Sequence, residues 1–301
     1  MNVSADRFLD SVFHTVAYAD VFEYPLTADE VHRYLTATKA SIEAVQQALS
    51  EDTRIAAAGE YFVLRGREHL VEKRKRRRQI ATRLWSKARR YGRIIASLPF
   101  VHMVAVTGSL AMNNTEEDRD IDFMIVTAPD RLWTARALTL FVARFAKLEG
   151  VRLCPNYLVT TSALRLNERS LYVAHELAQM VPLSGMEIYE EIRHLNPWTD
   201  EYLPNAVAAP EPPPGIRQAS ARASLQKAFE FLFLLPLINR FETWEMNRKI
   251  ARLTHEQSSS FESYFSKDVC KGHIDKHGQN VITALAARLQ TAAEAAPTEV
   301  V

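Results

Sequence analysis

The 301-residue sequence has few cysteines, no long apolar run and almost no net charge. Two cysteines, Cys154 and Cys270, are too few for a framework of disulfides, so we expect a reducing compartment, the cytoplasm. The longest strongly apolar run, residues 231–238, is much shorter than the roughly 20 residues that cross a bilayer. The first residues show no basic stretch followed by an apolar one, so no signal peptide is predicted. These absences argue against a secreted or membrane-spanning protein.

The near-neutral net charge of +1 conceals a strong segregation of charge along the chain. Residues 65–93 hold 13 Lys and Arg residues and two Glu residues, a local charge of +11, which leaves −10 for the rest of the sequence. Such a segment suits an anionic partner better than the overall charge suggests. Two interpretations stay open. The segment is either a solvated helix face that joins two domains, or a set of side chains that binds the phosphates of a nucleotide or a nucleic acid.

The N-terminal part, residues 1–66, is predicted to be a winged helix-turn-helix-like unit. Apolar residues at helical spacing indicate three helices, and two short β-patterned segments indicate a hairpin after them. Thr27 and Glu30 have the spacing of a capping box, which marks the start of the second helix. The likeness to a winged helix depends on this order of elements alone. Residues 67–98 follow as a long basic connecting helix.

The remaining chain divides into a core, a linker and a C-terminal part. Residues 99–209 alternate apolar strand patterns with amphipathic helices, which predicts an α/β (α+β) core. Residues 210–215 are rich in proline and indicate a stiff linker, and residues 216–301 indicate a C-terminal helical domain. The predicted strands of the core are residues 101–106, 121–126 and 152–160.

The most informative segment joins the first two of these strands. Gly108 and Ser109 follow the first strand at the start of a predicted helix, and Asp120 and Asp122 lie at the start of the second. Residues two apart on a strand face the same side, so the two carboxylates should project together. Paired acids repel each other unless a cation neutralises them. Mg²⁺ (or Mn²⁺) suits such a pair, because it completes its shell with water and substrate phosphates.

The Gly-Ser element complements the acids. Glycine lets the backbone approach a phosphate closely, and free N–H groups at a helix start bind phosphate oxygens. Together, Gly108, Ser109, Asp120 and Asp122 predict a metal-assisted site for a nucleoside triphosphate.

This segment resembles the signature of the nucleotidyltransferase superfamily, which includes polymerase β-like enzymes and kanamycin nucleotidyltransferase. That signature is an apolar residue, Gly-Ser or Gly-Gly, a short spacer and Asp-apolar-Asp/Glu-apolar; residues 107–109 and 120–123 match it. The resemblance covers about residues 100–160 and implies a nucleotidyltransferase core with a mixed sheet. It implies that Asp120 and Asp122 are catalytic and hold the metal, that Gly108 and Ser109 grip the phosphates, and that pyrophosphate leaves in an in-line displacement.

One departure from the family pattern concerns the third acidic residue, which active members usually carry on a following strand. Asn156 occupies that place here, and Asn has no basic lone pair suited to proton abstraction. Three explanations stay open: another carboxylate, with Glu176 and Glu187 as candidates; a misassigned strand; or a site that binds a nucleotide without transferring it. Alternatively, Asn156 only bonds backbone in a turn after Pro155.

Other candidate sites are weaker. Arg119 lies beside the acids, where it either binds Asp120 or a phosphate or is simply exposed at the strand entry. Cys270, His273 and His277 have zinc-like spacing, but a closed structural zinc site needs four ligands, so a polar loop is favoured. The sequence contains neither a P-loop motif nor a Gly-x-Ser-x-Gly elbow.

We therefore expect a Mg²⁺-dependent enzyme that moves a nucleotidyl group from an NTP, such as ATP, to a hydroxyl acceptor. The alternative is a catalytically degenerate relative of such enzymes that binds nucleotide or nucleic acid as a sensor or regulator. In that case, nucleic acid would bind through the basic segment, residues 67–93. The sequence leaves the acceptor open.

Overall fold

The computed structural model describes residues 3–210, 236–256, 264–272 and 277–295. Most of the predicted proline-rich linker, the apolar run before Pro236, and His273 lie outside the described residues. Two sheets with helices around them give the mixed α/β class that the sequence predicts. No helix within these ranges is both long and apolar enough to cross a membrane.

The N-terminal unit contains the three helices and the hairpin that the sequence predicts. Its elements are α1 (Val3–Val21), β1 (Leu26–Thr27), α2 (Ala28–Arg33), α3 (Ile42–Glu51), β2 (Ile55–Ala58) and β3 (Tyr61–Leu64). The strands form an antiparallel sheet in the order β1-β3-β2. The predicted capping box starts α2: the Thr27 side chain accepts from the backbone N–H of Glu30, whose carboxylate accepts from the backbone N–H of Thr27.

A second, six-stranded sheet forms the core. The elements from the basic helix to the end of the core are α4 (Leu70–Ala96), β4 (Val101–Val106), α5 (Gly108–Ala111), β5 (Ile121–Thr127), α6 (Leu132–Leu148), β6 (Leu153–Thr160), α7 (Leu171–Gln179), β7 (Val181–Ser184), α8 (Met186–Leu195) and α9 (Thr199–Tyr202). The later elements are α10 (Pro236–Glu256), β8 (Tyr264–Phe265), β9 (Val269–Lys271) and α11 (His277–Ala295). The strand order is β7-β4-β5-β6-β9-β8, and the sheet is mixed because β5 and β6 are parallel while the other neighbours are antiparallel.

Side chains alternate between the two faces of this sheet, as strand geometry requires. On one face, Met103 and Met124 pack with apolar residues of α1, α7 and α8. On the other, Val104 and Phe123 pack with apolar residues of α4 and α6. The sheet is therefore covered on both sides, and α7 lies on the same side as the N-terminal unit.

The C-terminal part differs from the predicted helical domain. Strands β8 and β9 extend the core sheet from the far side of β6, so this part of the chain is not purely helical. A three-residue strand with only one buried side chain, Cys270, gives too weak an alternation for the sequence to indicate it.

The basic helix also differs from a simple solvated face. Among the 13 Lys and Arg residues of residues 65–93, seven pair with carboxylates of the described part of the chain. The pairs are Arg67–Asp20, Lys73–Glu23, Arg74–Glu30, Lys75–Glu72, Arg77 with Glu23 and Glu116, Arg83–Glu117 and Arg90–Glu149. Arg74 and Arg77 are buried, and the Arg74 guanidinium lies over the Tyr24 and Tyr61 rings. Much of the positive charge thus joins the N-terminal unit to the core.

A carboxylate from α10 caps helix α6. Glu242 is buried and accepts hydrogen bonds from the backbone N–H groups of Trp133 (2.8 Å) and Thr134 (2.7 Å) and from the Thr134 hydroxyl (2.5 Å). Helix α6 has no capping bond from its own N-cap residue, Arg131. The distant carboxylate therefore satisfies N–H groups that the first turn leaves unpaired and complements the helix dipole.

Replacing Glu242 by alanine should lower the free energy of unfolding by about 2–4 kcal/mol, because a buried charged acceptor and a helix cap are lost. Urea denaturation measures the change. Asn247→Ala, at an exposed position of the same helix, is the control and should change stability by less than about 0.5 kcal/mol. Equal stability of the two variants would contradict the role of Glu242.

Candidate active site

Gly108 lies where strand β4 gives way to α5, and its backbone is left-handed, with φ of +63°. A Cβ atom at this position would lie 2.7 Å from Oδ2 of Asp122. No side chain fits there without displacing that carboxylate, and glycine also adopts this φ without strain. The structure therefore brings the Gly-Ser element and the second acid, 14 residues apart in sequence, into direct proximity.

The two acids lie at the start of β5 on the cavity side. Asp120 immediately precedes the strand, is exposed, and forms an ion pair of 2.8 Å with Arg152 at the entry of β6. Asp122 is the second residue of the strand and is only partly exposed. The charge of Asp120 acts on Asp122, in keeping with carboxylates that project from the same end of the strand.

Asn156 lies beside Asp122 because of an irregularity in β6. Phe123 pairs with Pro155 and Met124 with Tyr157, so Asn156 is an extra residue in the parallel pairing of β5 with β6. Such a bulge changes the direction of a side chain. The Asp122 carboxylate accepts hydrogen bonds from the Cys154 thiol and the Asn156 side chain. The Asn156 side chain thus bonds to Asp122, so its role is not limited to a hydrogen bond with backbone in a turn.

The surroundings of Asp122 oppose its ionisation. Burial, and next to it the charge of Asp120, raise the pKa of Asp122 to about 6. Hydrogen bonds from Cys154 and Asn156 and the positive charge of Arg119 lower that pKa, but they do not outweigh the two raising effects. Burial beside Asp122 and Asp120 also raises the pKa of the Cys154 thiol to about 12, so this cysteine is a neutral hydrogen-bond donor.

The acid pair and Asn156 line a cavity of about 1170 Å³ that lies between the N-terminal unit and the core. Side chains of α1, α4, β5, β6 and α7 line it, together with the 114–120 loop. Its volume exceeds the few hundred to about 1,000 Å³ of typical ligand pockets, so it has room for more than one small ligand. Each predicted site residue, Gly108, Ser109, Arg119, Asp120, Asp122 and Asn156, lines this cavity.

Two cations in the wall are available to a ligand. Arg76 of α4 and Arg119 of the loop have no carboxylate within ion-pair distance among the described residues, and both are exposed. Their neighbours Lys73 and Arg77 also line the cavity but are paired with Glu23. The basic helix therefore supplies Arg76 to the cavity. The sequence did not identify this residue, because it is one of many cations in the same segment.

The two glutamates proposed from the sequence have different positions. Glu176, on α7, lines the cavity, whereas Glu187 is exposed on α8 and is not among its lining residues. Within the described ranges, no group of three or more Asp, Glu, His or Cys residues is placed to hold a metal ion. Glu176 is therefore near the acid pair without joining it in a ready-made three-carboxylate site.

Comparison of the chain with family models, with curated proteins and with solved structures found no match in any of the three. Interpretation of the site therefore depends on its own geometry and on the motif.

Asparagine at Asp122 should make the protein more stable at high pH. Because the folded-state pKa is about 6 and the ordinary value is 3.8, the unfolded chain holds fewer protons than the native one as pH rises through this range, and wild-type stability falls. Asp122→Asn should therefore have the higher Tm at pH 8, and its advantage should vanish below about pH 4. Thermal unfolding at both pH values measures this, with Asp130→Asn at an exposed turn as control. A pH-independent difference would contradict the raised pKa.

Alanine at Gly108 should destabilise the protein more than alanine at Gly59. Both glycines have a left-handed backbone, with φ of +63° and +68°, but a Cβ at Gly59 meets nothing within 4 Å. The backbone penalty is therefore shared, and the difference isolates the collision with Asp122, about 1–3 kcal/mol by analogy with overpacked sites. Chemical denaturation of the two variants measures this difference in the free energy of unfolding. Similar losses of stability in both variants would show that the Asp122 carboxylate moves aside without cost.

Proposed function

We propose that the protein is a nucleotidyltransferase that moves a nucleotidyl group from an NTP to a hydroxyl acceptor. The observation that carries the proposal is the approach of Gly108 to Asp122, which joins a phosphate-binding backbone element to an acid pair in one large cavity. Neither half of the motif is specific alone. Their contact supports reading them as parts of one site.

The donor set fits a divalent cation of the Mg²⁺ type. Asp120 and Asp122 offer hard carboxylate oxygens, and burial together with the charge of Asp120 opposes ionisation of Asp122, which a bound cation would favour. Mg²⁺ typically uses one or two protein carboxylates and completes its shell with water and phosphate oxygens, so the lack of a third clustered ligand among the described residues does not conflict with it. When bound, the ion would supply charge neutralisation at the phosphates and the leaving group.

The protein's own groups would orient the triphosphate. Ser109 and the backbone after Gly108 would bind phosphate oxygens, and Arg76 and Arg119, which line the same cavity, would add positive charge. Asn156 and Cys154 hold the Asp122 carboxylate in place through hydrogen bonds. This arrangement suits positioning and electrostatic stabilisation, which account for most of the catalysis in phosphoryl-type transfers.

The test is transfer of label from α-³²P NTPs, with Mg²⁺, to a panel of hydroxyl acceptors that includes sugars, aminoglycosides, RNA 3′ ends and protein. Wild type should label at least one acceptor, and Asp120→Asn and Asp122→Asn should each lower the rate by about 10²-fold or more, because both carboxylates act on the reacting phosphates. Glu187→Gln is the matched acidic control outside the cavity and should retain the rate. Wild type without transfer to any acceptor would contradict the proposal.

The second candidate function is a degenerate site that binds nucleotide without turnover. Asn156 at the third position favours it, since an amide cannot take a proton from an acceptor. It predicts tight NTP binding with no transfer. The ion pairs of α4 weaken its nucleic-acid version: a steep loss of DNA affinity with salt requires several cations free to bind phosphates, and a flat response would exclude that version.

A further inference from the structure

Seven carboxylates of the described residues line the cavity, and most of them already have a hydrogen-bond or ion-pair partner. Glu23, Glu116, Glu117 and Asp120 pair with Lys or Arg side chains, and Asp122 accepts from Cys154 and Asn156. Of the remaining two, Asp118 is an exposed residue of the 114–120 loop. The other is Glu176, which has no Lys or Arg within ion-pair distance among the described residues and lies in a wall of the cavity.

Helix α7 fixes the position of Glu176. The neighbouring side chains Val173 and Leu177 are buried in the apolar core on the cavity face of the sheet. The Glu176 carboxylate is hydrogen-bonded to Tyr172, one turn earlier on the helix, and Asp122 is close enough for its charge to act on Glu176. Glu176 thus approaches the acid pair from α7, an element separate from the strands that carry Asp122 and Asn156.

We propose that Glu176 is the general base of the reaction, accepting the proton of the acceptor hydroxyl in place of the acid that Asn156 replaces. This inference rests on the proposed nucleotidyl transfer and names the residue that would accept the proton in that reaction. The acceptor would then lie between α7 and the acid pair, next to Tyr18 and Tyr172, which line the same cavity.

The step is a proton transfer coupled to a displacement at phosphorus. The acceptor O–H bond breaks, and its proton goes to a carboxylate oxygen of Glu176. The electron pair left on the acceptor oxygen forms the new bond to the α-phosphorus. The bond from that phosphorus to the oxygen bridging to the β-phosphate breaks, and pyrophosphate leaves with those electrons. Glu176 then releases its proton to water.

The carboxylate of Glu176 is largely removed from water. Burial, and then the charge of Asp122, raise the pKa of Glu176 to about 7, while its hydrogen bond to Tyr172 and the charge of Lys271 act in the other direction. The groups that face it are Asp122 from β5, Lys271 from β9, Tyr172 from its own helix and Tyr18 from α1. Lys271 is itself paired with Glu168 at 2.7 Å, so it only partly offsets the burial.

Glu176→Gln, Glu176→Asp and Glu187→Gln test the proposal. Pyrophosphate release from ATP with Mg²⁺ is measured across pH 5.5–9 (roughly the range of the raised pKa), with water and with the best acceptor of the panel. ATP binding is measured separately by calorimetry. Glutamine has the shape of the protonated glutamate, so Glu176→Gln should fold, and circular dichroism checks this.

Glu176→Gln should lower the transfer rate by about 10²–10⁴-fold and leave the Kd for ATP unchanged. Glu176→Asp should keep part of the rate and the pH dependence, and Glu187→Gln should behave as wild type. An active wild type with an equally active Glu176→Gln variant would overturn the role of Glu176 while leaving nucleotidyl transfer standing. Parallel loss of ATP binding and rate would assign Glu176 to structure or substrate binding and would also overturn it. A wild type that transfers to nothing would overturn both proposals. If Glu176→Gln fails to fold, a Glu176→Asp variant with the full wild-type rate decides against the role of Glu176.

Discussion

The crowding of Asp122 is the constraint on which the site depends. A carboxylate next to a second carboxylate and partly removed from water is unfavourable unless its neighbours compensate. Three local features do so: a strand end without a side chain at Gly108, a bulge that turns Asn156 inward, and a thiol donor at Cys154. The left-handed backbone at Gly108 and the bulge at Asn156 are departures from regular sheet geometry. Both lie next to the same carboxylate, Asp122.

The arginine network has a complementary part in shaping the cavity. Asp20, at the end of α1, is buried and binds both Arg67 (2.8 Å) and Arg288 of α11 (2.6 Å). The N-terminal unit, the segment leading into α4 and the last helix thus meet at one carboxylate. Since an unpaired buried charge is costly, these contacts hold α1 in place over the core. The wall of the cavity that carries Tyr18 is therefore part of the folded framework, even though it belongs to a different unit from the acids.

Sequence patterns predicted the elements with strong periodicity and missed those defined by tertiary contact. The strands of Val101–Val106 and Ile121–Thr127 and helix α6 were predicted to within a residue, because apolar runs and amphipathic spacing are local signals. Strand β7 was missed because its four side chains are all buried and show no alternation, and strands β8 and β9 were missed because they have only two and three residues. The motif identified Gly108, Ser109, Asp120 and Asp122, but their approach depends on antiparallel pairing of β4 with β5, which no spacing encodes. The sequence did not distinguish Arg76 from the other cations of the basic helix. Only the structure does so, because it pairs the neighbouring Lys73 and Arg77 with Glu23.

The cap that Glu242 places on α6 links residues more than 100 positions apart, and β9 pairs with β6 across a similar distance. The central sheet and its helix therefore cannot be completed until the chain beyond residue 236 has been made, although the acids and the glycine are all present by residue 122. Contacts of such long range slow folding, because a large loop must close before they form. During synthesis, the motif residues would emerge well before the sheet that aligns them is complete, so an assembled site signals that the distant segment has docked.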